Sequence, residues 1–464
     1  MSERLSPLDA SFLYLEKPHL HMHVGGLAVF DPTGVARGPL TLDRLRAMTA
    51  ARLQMVPRFR QRVMFPPLEA ARPVWADDPG FDVTYHVRRI AVPRPGGPRQ
   101  LAALTGQLAS QQLDRERPLW EMYLVDGLEG GYQAVLTKTH HAMLDGVGGM
   151  DAVAALFDLA PEPDEPAAQR WDPEPLPSSY RLLAEGLLDR IREPAGALAS
   201  TAADLARRPT ATLRDIVATA GGALSILARG LPPDTPFNVA VGATRRFAMT
   251  AIPLEEARAV QASLGGTVND VILTALAGGV SALLEARGQA GKGLRYRTMM
   301  PISVRTGSEH GAFGNRVTTV YPDIPVGPMK PVVRLRLVRE ETRRIKSSRQ
   351  GQAATALVQG AMWLPPGLHR RLGRFGNDHL RIFNMVASNI PGPQVPLYLD
   401  GARLVTYYPL MPLGARVGLS VGVVTLVGVM GFGFTADWEA FPDLELLALE
   451  VEDAFGALQK AAGV

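Results

Sequence analysis

The sequence predicts an α/β protein made of two domains of similar construction. The chain has 464 residues, more than a single hydrophobic core usually organises. Short β-favouring runs alternate with helical patterns in both halves. Dense prolines between residues 161 and 177 break regular structure between the halves. We therefore expect an N-terminal domain over residues 1–160, a proline-rich and helical linker over 161–244, and a C-terminal domain over 245–464.

Composition sets the class of protein and excludes several chemistries. Hydrophobic residues make up 46% of the chain and charged residues 20%, which is typical of a globular protein. The net charge of +4 and the pI of about 9.3 suit an anionic ligand or a lipid surface. No Lys/Arg block is interleaved with aromatics, so we expect no nucleic-acid partner. Cysteine is absent, which excludes disulfides, thiolate metal sites and a cysteine acyl-enzyme.

The first domain contains alternating patterns of strand and helix. Strands are predicted at Val24–Asp31, Asp82–Ile90, Met122–Asp126 and Tyr132–Lys138, and helices at Thr41–Met55 and Pro98–Leu113. The last of these strands leads directly to two adjacent histidines, His140 and His141.

The linker contains amphipathic stretches whose polar faces carry arginine. These stretches are Tyr180–Ile191, Leu198–Ala206 and Thr212–Leu227. Such helices suit either a membrane surface or a connector that packs across both domains, and we favour the connector. The first seven residues have no apolar stretch after their positive charge, so we expect no secretory signal and a cytoplasmic protein.

The second domain repeats the mixed pattern. Strands are predicted at Phe247–Ile252, Tyr296–Val304, Val317–Tyr321, Phe383–Ala387 and Arg403–Tyr408, and helices at Leu254–Leu264, Asn269–Ala286 and Asp443–Ala461. The uncharged run Val417–Phe434 approaches the length of a bilayer helix. Its glycines and β-branched residues instead favour two buried strands joined near Gly428.

The histidines after the first-domain strand are the leading candidates for catalysis. In the run His140-His141-Ala-Met-Leu-Asp145-Gly146, a rigid strand delivers the imidazoles to its end and glycine permits a tight turn. An imidazole can accept a proton from a hydroxyl near neutral pH. Asp145 suits either of two roles, orienting the imidazole or forming an ion pair that holds the loop. We favour the ion pair, with Arg305 as partner.

Two other patterns in the sequence resemble functional sites, but their surroundings argue against that function. His21 and His23 share one face of a strand, but no carboxylate lies nearby in sequence, and adjacent His140 and His141 point to opposite faces. We therefore predict no metal site. Gly418-Leu-Ser-Val-Gly422 matches a hydrolase nucleophile elbow, but strand-forming residues follow it and no histidine comes after it.

Several motifs in order carry a family resemblance. They are Leu5–Phe12, His21–Gly25, Arg117-Pro-Leu-Trp-Glu121, the His140–Gly146 run, Thr267–Ile272, Pro301–Arg305 and Ser388-Asn-Ile-Pro-Gly392. The His-His-x-x-x-Asp-Gly pattern is the signature of the chloramphenicol-acetyltransferase-like superfamily. The ordered set resembles bacterial wax ester synthase/acyl-CoA:diacylglycerol acyltransferases over nearly the whole chain. The superfamily's Asp-Phe-Gly-Trp-Gly signature is not present, which favours the lipid-acylating branch.

The resemblance implies a fold and roles for individual residues. It implies two chloramphenicol-acetyltransferase-like α/β sandwich domains with the active site at their interface. His141 would be the general base, accompanied by His140, while Asp145 would be structural. Gly146, Asn269 and Asp270 would line the substrate site, with Asn269 positioning the acyl group or its oxyanion. From the residues alone, Asn269 is equally consistent with a helix N-cap, and Trp120 is more typical of a core residue than of a substrate contact.

The resemblance also implies substrates. Acyl-CoA would be the co-substrate, no cofactor would be needed, and diacylglycerol or a long-chain alcohol would be the acceptor, with peripheral contact with the inner membrane face or lipid droplets. One alternative is a carrier-protein-dependent condensation or polyketide-associated acyltransferase. Another is a non-catalytic protein that binds lipid surfaces through the helices between 178 and 230. The sequence does not determine the oligomeric state.

Overall fold

A computed structural model describes residues 3–143, 157–162, 170–189, 192, 206–208, 230–303, 317–347, 366–379 and 381–464. Asp145, Gly146 and Arg305, to which the sequence assigned roles, lie outside these residues. Of the predicted linker helices, the first is present over residues 179–189, and the other two lie almost entirely outside the described residues.

Strands are described along most of the chain. They are β1 (Glu3–Arg4), β2 (His23–Asp31), β3 (Gln61–Met64), β4 (Val74–Asp77), β5 (Val87–Ala91), β6 (Trp120–Asp126), β7 (Gln133–His140), β8 (Arg245–Pro253), β9 (Arg295–Ser303), β10 (Val317–Val320), β11 (Asp323–Pro325), β12 (Met385–Pro391), β13 (Tyr398–Leu399), β14 (Ala402–Leu410), β15 (Leu419–Leu426) and β16 (Val429–Asp437).

Helices lie between these strands and close the chain. They are α1 (Pro7–Leu15), α2 (Leu42–Arg52), α3 (Val83–His86), α4 (Pro98–Ala109), α5 (residues 179–189), α6 (Leu254–Leu264), α7 (Val268–Ala286), α8 (Pro331–Ser347), α9 (Pro366–His379) and α10 (Leu444–Ala462). Short 3₁₀ turns occur at Pro57–Arg60, Pro67–Glu69, Glu129–Gly131 and His141–Met143.

The predicted α/β architecture is confirmed, and it is built around two large sheets. The first has strand order β13-β14-β2-β7-β6-β5, and the second has the order β10-β9-β12-β15-β16-β8, with β11 also paired to β9. A small third sheet has the order β1-β4-β3. Most pairs are antiparallel, but β5 runs parallel to β6, and β12 runs parallel to both β9 and β15.

The first sheet contains strands from both ends of the chain. β14 pairs antiparallel with β2, from Arg403 opposite Asp31 to Leu410 opposite Gly25. The continuous domain boundaries stay a prediction, but residues 398–410, which we assigned to the second domain, belong to the first sheet. The sequence could not indicate that β14 joins the first sheet, because the residue pattern of a strand does not identify the strand it pairs with.

Two glycines bring the sheets together where β14 crosses β16. A Cβ at Gly431 would lie 2.0 Å from the carbonyl oxygen of Tyr407, and one at Gly433 would lie 1.9 Å from that of Pro409. Only glycine permits so close an approach of two backbones. The run predicted as a strand pair is therefore confirmed as β15 and β16, with the turn at Gly428.

The second-domain core is built around α7. This helix packs against α10, and its residues lie in one apolar cluster with β15 and β16. It is also the one described helix long and apolar enough to cross a membrane, with a mean hydropathy of 1.4, but 78% of that stretch is buried inside the protein. Its burial among α10 and the strands marks it as a core helix.

One predicted strand was wrong in its first half. Residues 83–86 form α3, and strand structure begins only at Val87. The Asp82 side chain accepts hydrogen bonds from the Thr84 backbone N–H at 2.8 Å and from the Thr84 hydroxyl at 2.7 Å. A local bond of this kind competes with strand pairing and starts a helical turn.

Candidate active site

His140 and His141 lie where β7 ends and a 3₁₀ turn begins. The β7 backbone continues its pairing to His140, which lies opposite His23 of β2. The His140 N–H donates to the Leu119 carbonyl at 2.9 Å, and the His141 N–H donates to the Met22 carbonyl at 2.8 Å. The two neighbouring histidines are thus fixed by main-chain bonds from two different segments.

The His141 ring is held by an aromatic neighbour. The phenyl ring of Phe12, on α1, stacks on it with centroids 3.9 Å apart and planes 18° from parallel. Burial lowers the pKa of His141 from 6.5 to about 4. The imidazole is therefore neutral at physiological pH and able to accept a proton.

His140 has a structural environment. It is almost completely buried, and its Nδ1 accepts a hydrogen bond from the Ala142 N–H at 3.0 Å. An accepting Nδ1 places the ring proton on Nε2, which lies 3.6 Å from a carboxylate oxygen of Glu16. His140 therefore shapes the turn that carries His141.

Glu16 is the residue that the sequence analysis missed. It is buried, and Arg115 donates to its Oε2 from Nε at 2.9 Å. Burial raises the pKa of Glu16, but the contacts with His140 and with the Arg115 guanidinium lower it by more and leave it well below its usual range. Arg115 is 99 residues away in sequence, and no local pattern predicted this pair.

The sequence analysis found no carboxylate close in sequence to His21 and His23, but it overlooked Glu16, five residues before His21. Ligand atoms of Glu16, His21 and His23 all lie within 4.8 Å of one another. The two histidine rings stack 5.1 Å apart. The Ser110 main chain beside the His21 ring favours its protonated form, but burial has the larger effect and lowers the pKa of His21 to about 4.

The surroundings of this histidine and glutamate group are cationic. Arg115 is bonded to Glu16, Arg245 lowers the pKa of His21, and Lys138 lowers that of His23, in each case after a larger effect of burial. Nearby cations oppose a divalent ion. The group is therefore a charge-compensated cluster beneath the His140 turn, and absence of a metal stays a prediction.

Asn269 and Asp270 lie in the first turn of α7. The N-cap is Thr267, so the N-cap interpretation of Asn269 is wrong. Asp270 forms a capping box with Thr267 at 2.8 Å and accepts from the Thr342 hydroxyl at 2.7 Å. These contacts favour a structural role for Asp270, and substrate binding by it stays a prediction.

Asn269 is paired with a second motif residue. The Asn389 amide donates to the Asn269 carbonyl oxygen at 3.2 Å, which leaves the Asn269 NH₂ group as a donor. Within the described parts of the chain, no hydrogen bond, ion pair or ring contact joins Asn269 to His141. Ile390, next to Asn389, packs against the apolar cluster that contains Ala142 and Met143.

Two further interpretations are resolved by burial. Trp120 is a core residue, as predicted, because its indole N–H donates to the Phe59 carbonyl at 2.8 Å and its ring stacks on His86. Ser420 is fully buried inside β15 and donates to the Pro412 carbonyl at 2.7 Å. A nucleophile elbow at Gly418–Gly422 is therefore excluded.

Comparison with protein families covers both halves of the molecule. The wax ester synthase/diacylglycerol acyltransferase catalytic domain matches residues 5–272, and the C-terminal domain of the same family matches residues 313–459. The chain belongs to the wax ester synthase/diacylglycerol acyltransferase family. It is an acyltransferase, as the sequence analysis predicted.

Individual members and solved structures agree with this family. A probable diacylglycerol O-acyltransferase of Mycobacterium tuberculosis is 32% identical over 459 residues, covering 98% of this chain and 95% of that protein. The structure of a wax ester synthase/diacylglycerol acyltransferase from Marinobacter aquaeolei VT8 superposes with a TM-score of 0.69 and 26% identity, over 99% of this chain and 100% of that one.

A more distant similarity defines the fold alone. The first condensation domain of the CDA synthetase superposes with a TM-score of 0.55 and 15% identity, over 100% of this chain and 97% of that one. The predicted two-domain chloramphenicol-acetyltransferase-like fold is thereby confirmed. In this family member, the histidine turn follows β7 of the first sheet, while Asn269 on α7 is bonded to Asn389 on β12 of the second sheet.

Proposed function

We propose that this chain transfers the acyl group of acyl-CoA to the hydroxyl of diacylglycerol, and to long-chain alcohols more weakly. One observation carries the chemistry, namely that the Phe12 stack and the bond to the Met22 carbonyl hold His141 at the end of β7. The acceptor follows the name of the mycobacterial relative. Triacylglycerol is then the main product.

In the proposed reaction His141 acts as general base. It accepts the hydroxyl proton as the acceptor oxygen attacks the thioester carbonyl and forms a tetrahedral intermediate. The C–S bond then breaks, and the imidazolium returns its proton to the CoA thiolate. A well-placed base of this kind accelerates such a step by roughly 10²–10⁴. The low pKa of His141 keeps the ring unprotonated before each turnover.

The intermediate also needs a hydrogen-bond donor for its oxyanion. We assign that role to the Asn269 NH₂ group, whose carbonyl oxygen is occupied by Asn389. Asp145 keeps the structural role and Gly146 the substrate-binding role that the family resemblance implies. No cofactor takes part in this scheme, and the absence of cysteine supports direct transfer without a thioester intermediate on the protein.

We further propose that the protein acts in the cytoplasm, in peripheral contact with the inner membrane face or lipid droplets. Both substrates carry long apolar chains, and the basic balance of the chain suits an anionic surface. Carrier-protein-dependent condensation is a weaker candidate, since the condensation domains share only the fold. Turnover with free acyl-CoA distinguishes the two.

The decisive experiment measures release of CoA thiol from palmitoyl-CoA in the presence of dioleoylglycerol or hexadecanol. A thiol reagent reports only CoA, because the protein contains no cysteine. We expect turnover with both acceptors, faster with dioleoylglycerol, and its loss in His141→Ala. The matched control is His19→Ala, which removes an exposed histidine. Full activity in His141→Ala would disprove the base assignment, and no turnover in the wild type would disprove the function.

A further inference from the structure

Helix α1 carries the residue that covers the proposed base. Phe12 lies in the last turn of this nine-residue helix and stacks on the His141 ring with centroids 3.9 Å apart. A helix shorter than about 12–15 residues is only marginally stable in water unless other segments hold it. The position of the Phe12 ring therefore depends on the contacts that fix α1.

The two ends of α1 are capped in different ways. At its beginning, the Ser6 side chain accepts a hydrogen bond from the Asp9 N–H at 3.1 Å, so the first turn is capped locally. The last turn contains no basic residue. The final carbonyl groups of a helix have no partner within it and favour cations. The end of α1 that carries Phe12 therefore needs donors from elsewhere in the chain.

Two arginines from distant segments supply these donors. Arg374 of α9 donates from Nε to the Tyr14 carbonyl at 2.8 Å and from Nη2 to the Glu16 carbonyl at 3.3 Å. Arg115 donates to the Leu13 carbonyl at 3.1 Å. Arg374 and Tyr14 are 360 residues apart in sequence. One guanidinium from the second half of the chain thus caps a helix at the start of the first half.

Arg374 lies on a helix that is itself fixed to α1. Lys17, which follows the end of α1, forms an ion pair with Asp378 of α9 at 2.5 Å. Helix α1 packs against both α9 and the 3₁₀ turn that begins at His141. The guanidinium is therefore held in place at the end of α1 by contacts of its own helix.

A short chain of bonds joins Arg374 to the Phe12 ring. The Glu16 carbonyl accepts from Arg374, and the Glu16 N–H donates to the Phe12 carbonyl at 3.1 Å. Loss of the cap would loosen this turn and with it the phenyl ring. A displacement of about 1 Å near a reacting group is enough to slow a reaction strongly.

We propose that Arg374 is a positioning residue for acyl transfer. Its guanidinium caps the end of α1 and so keeps Phe12 against His141, which means that Arg374 acts through Phe12. This inference rests on the proposed function, in which His141 is the base. It gives the second half of the chain a part in orienting a base that the first sheet carries.

The test compares Arg374→Met, Phe12→Ala and the double variant in the full chain, by thiol release from palmitoyl-CoA with dioleoylglycerol. We expect Arg374→Met to lower kcat roughly tenfold with little change in KM. The double variant should differ from Phe12→Ala by less than about twofold, because both substitutions remove the same contact. Arg374→Lys, which keeps a cationic donor, should recover most of the loss.

The matched control is Arg371→Met, which removes an exposed arginine from the same helix and should keep the wild-type kcat. Circular dichroism establishes that each variant is folded under the assay conditions. If Arg374→Met does not fold, Arg374→Gln replaces it, because its amide retains one donor. Its effects should be smaller and in the same direction.

A second measurement does not depend on turnover. Burial lowers the pKa of His141 to about 4, and NMR titration of protein with labelled histidine follows this pKa directly. The signal of His141 is identified by its loss in His141→Gln. In Arg374→Met we expect the pKa of His141 to rise toward 6.5, because water reaches a ring that Phe12 no longer covers.

Three outcomes would overturn the proposal. They are multiplied losses of kcat in the double variant, an unchanged pKa of His141 in folded Arg374→Met, and an equal loss of kcat in Arg371→Met. Failure of the proposed function gives a different result, namely full activity in His141→Ala or no turnover by the wild type. In that case the NMR titration still shows whether Arg374 keeps Phe12 against His141.

Discussion

The imidazole of His141 lies nearly parallel to the phenyl ring of Phe12, with centroids 3.9 Å apart. The two residues come from the end of β7 and from α1. The stack covers one face of the imidazole and leaves its edge for proton transfer. Because the phenyl ring excludes water, it contributes to the burial that lowers the pKa of His141 to about 4.

Replacing Phe12 should therefore change how activity depends on pH. In Phe12→Ala we expect the pKa of His141 to rise from about 4 toward 6.5, and kcat to fall roughly tenfold because the ring is less well placed. The pH profile of kcat/KM measures the first effect as an acid limb at higher pH. Phe12→Tyr should restore the wild-type profile, and an unchanged acid limb in Phe12→Ala would contradict the argument.

The two histidines of the motif should respond differently to substitution. His140→Ala removes the acceptor for the Ala142 N–H, and should lower the free energy of unfolding by about 1–3 kcal/mol. His141→Ala should mainly lower kcat, by roughly 10²–10⁴. Chemical denaturation and thiol release measure the two effects. A larger loss of kcat in a well-folded His140→Ala would reverse the assignment.

The Glu16 ion pair should contribute to stability. In Glu16→Gln we expect a loss of about 1–3 kcal/mol in the free energy of unfolding, because Arg115 loses its partner. Arg115 is partly exposed, so solvent reduces the effect below that of a fully buried pair. A double-mutant cycle with Arg115→Met measures the coupling, and additive losses would show that the pair contributes nothing.

Acid should destabilise the protein below about pH 6.5. Burial lowers the pKa values of His21 and His141 to about 4 and that of His23 well below 6.5. As pH falls through this window, the unfolded chain binds protons that the native state does not, so the free energy of unfolding decreases. Thermal midpoints between pH 7.5 and 4.5 measure the decrease. The thermal midpoint of His23→Gln should fall less steeply with decreasing pH than that of the wild type. Equal slopes for the two proteins would show that His23 does not cause the acid sensitivity.

Substitution of Asn269 should mainly affect catalysis, whereas substitution of Asp270 should mainly affect stability. Asn269→Ala should lower kcat by roughly 10²–10³ if it stabilises the oxyanion, with little change in thermal midpoint. Asp270→Ala removes the capping box and the Thr342 bond, and should cost about 1–2 kcal/mol of stability. Activity at a temperature where both are folded distinguishes them. A destabilised Asn269→Ala with normal kcat would identify it as structural.

Much of the fold follows from local patterns. The helix predicted at Leu254–Leu264 has those bounds in the structure, and Val417–Phe434 forms a strand pair as its glycines and β-branched residues indicated. The prediction failed at Asp82, where one side chain bonds the backbone two residues ahead and starts a helical turn. It also gave no sign that β14 joins the first sheet, since pairing depends on distant strands.

The family, the order of elements and the position of His141 at the end of a strand could all be predicted from local sequence patterns. The environment of that histidine depends instead on tertiary contacts. Phe12 contacts its ring, and Glu16 joins Arg115 from 99 residues away beneath the turn. Burial is a sum over contacts between distant segments, so the lowered pKa of His141 exists only once the chain is folded.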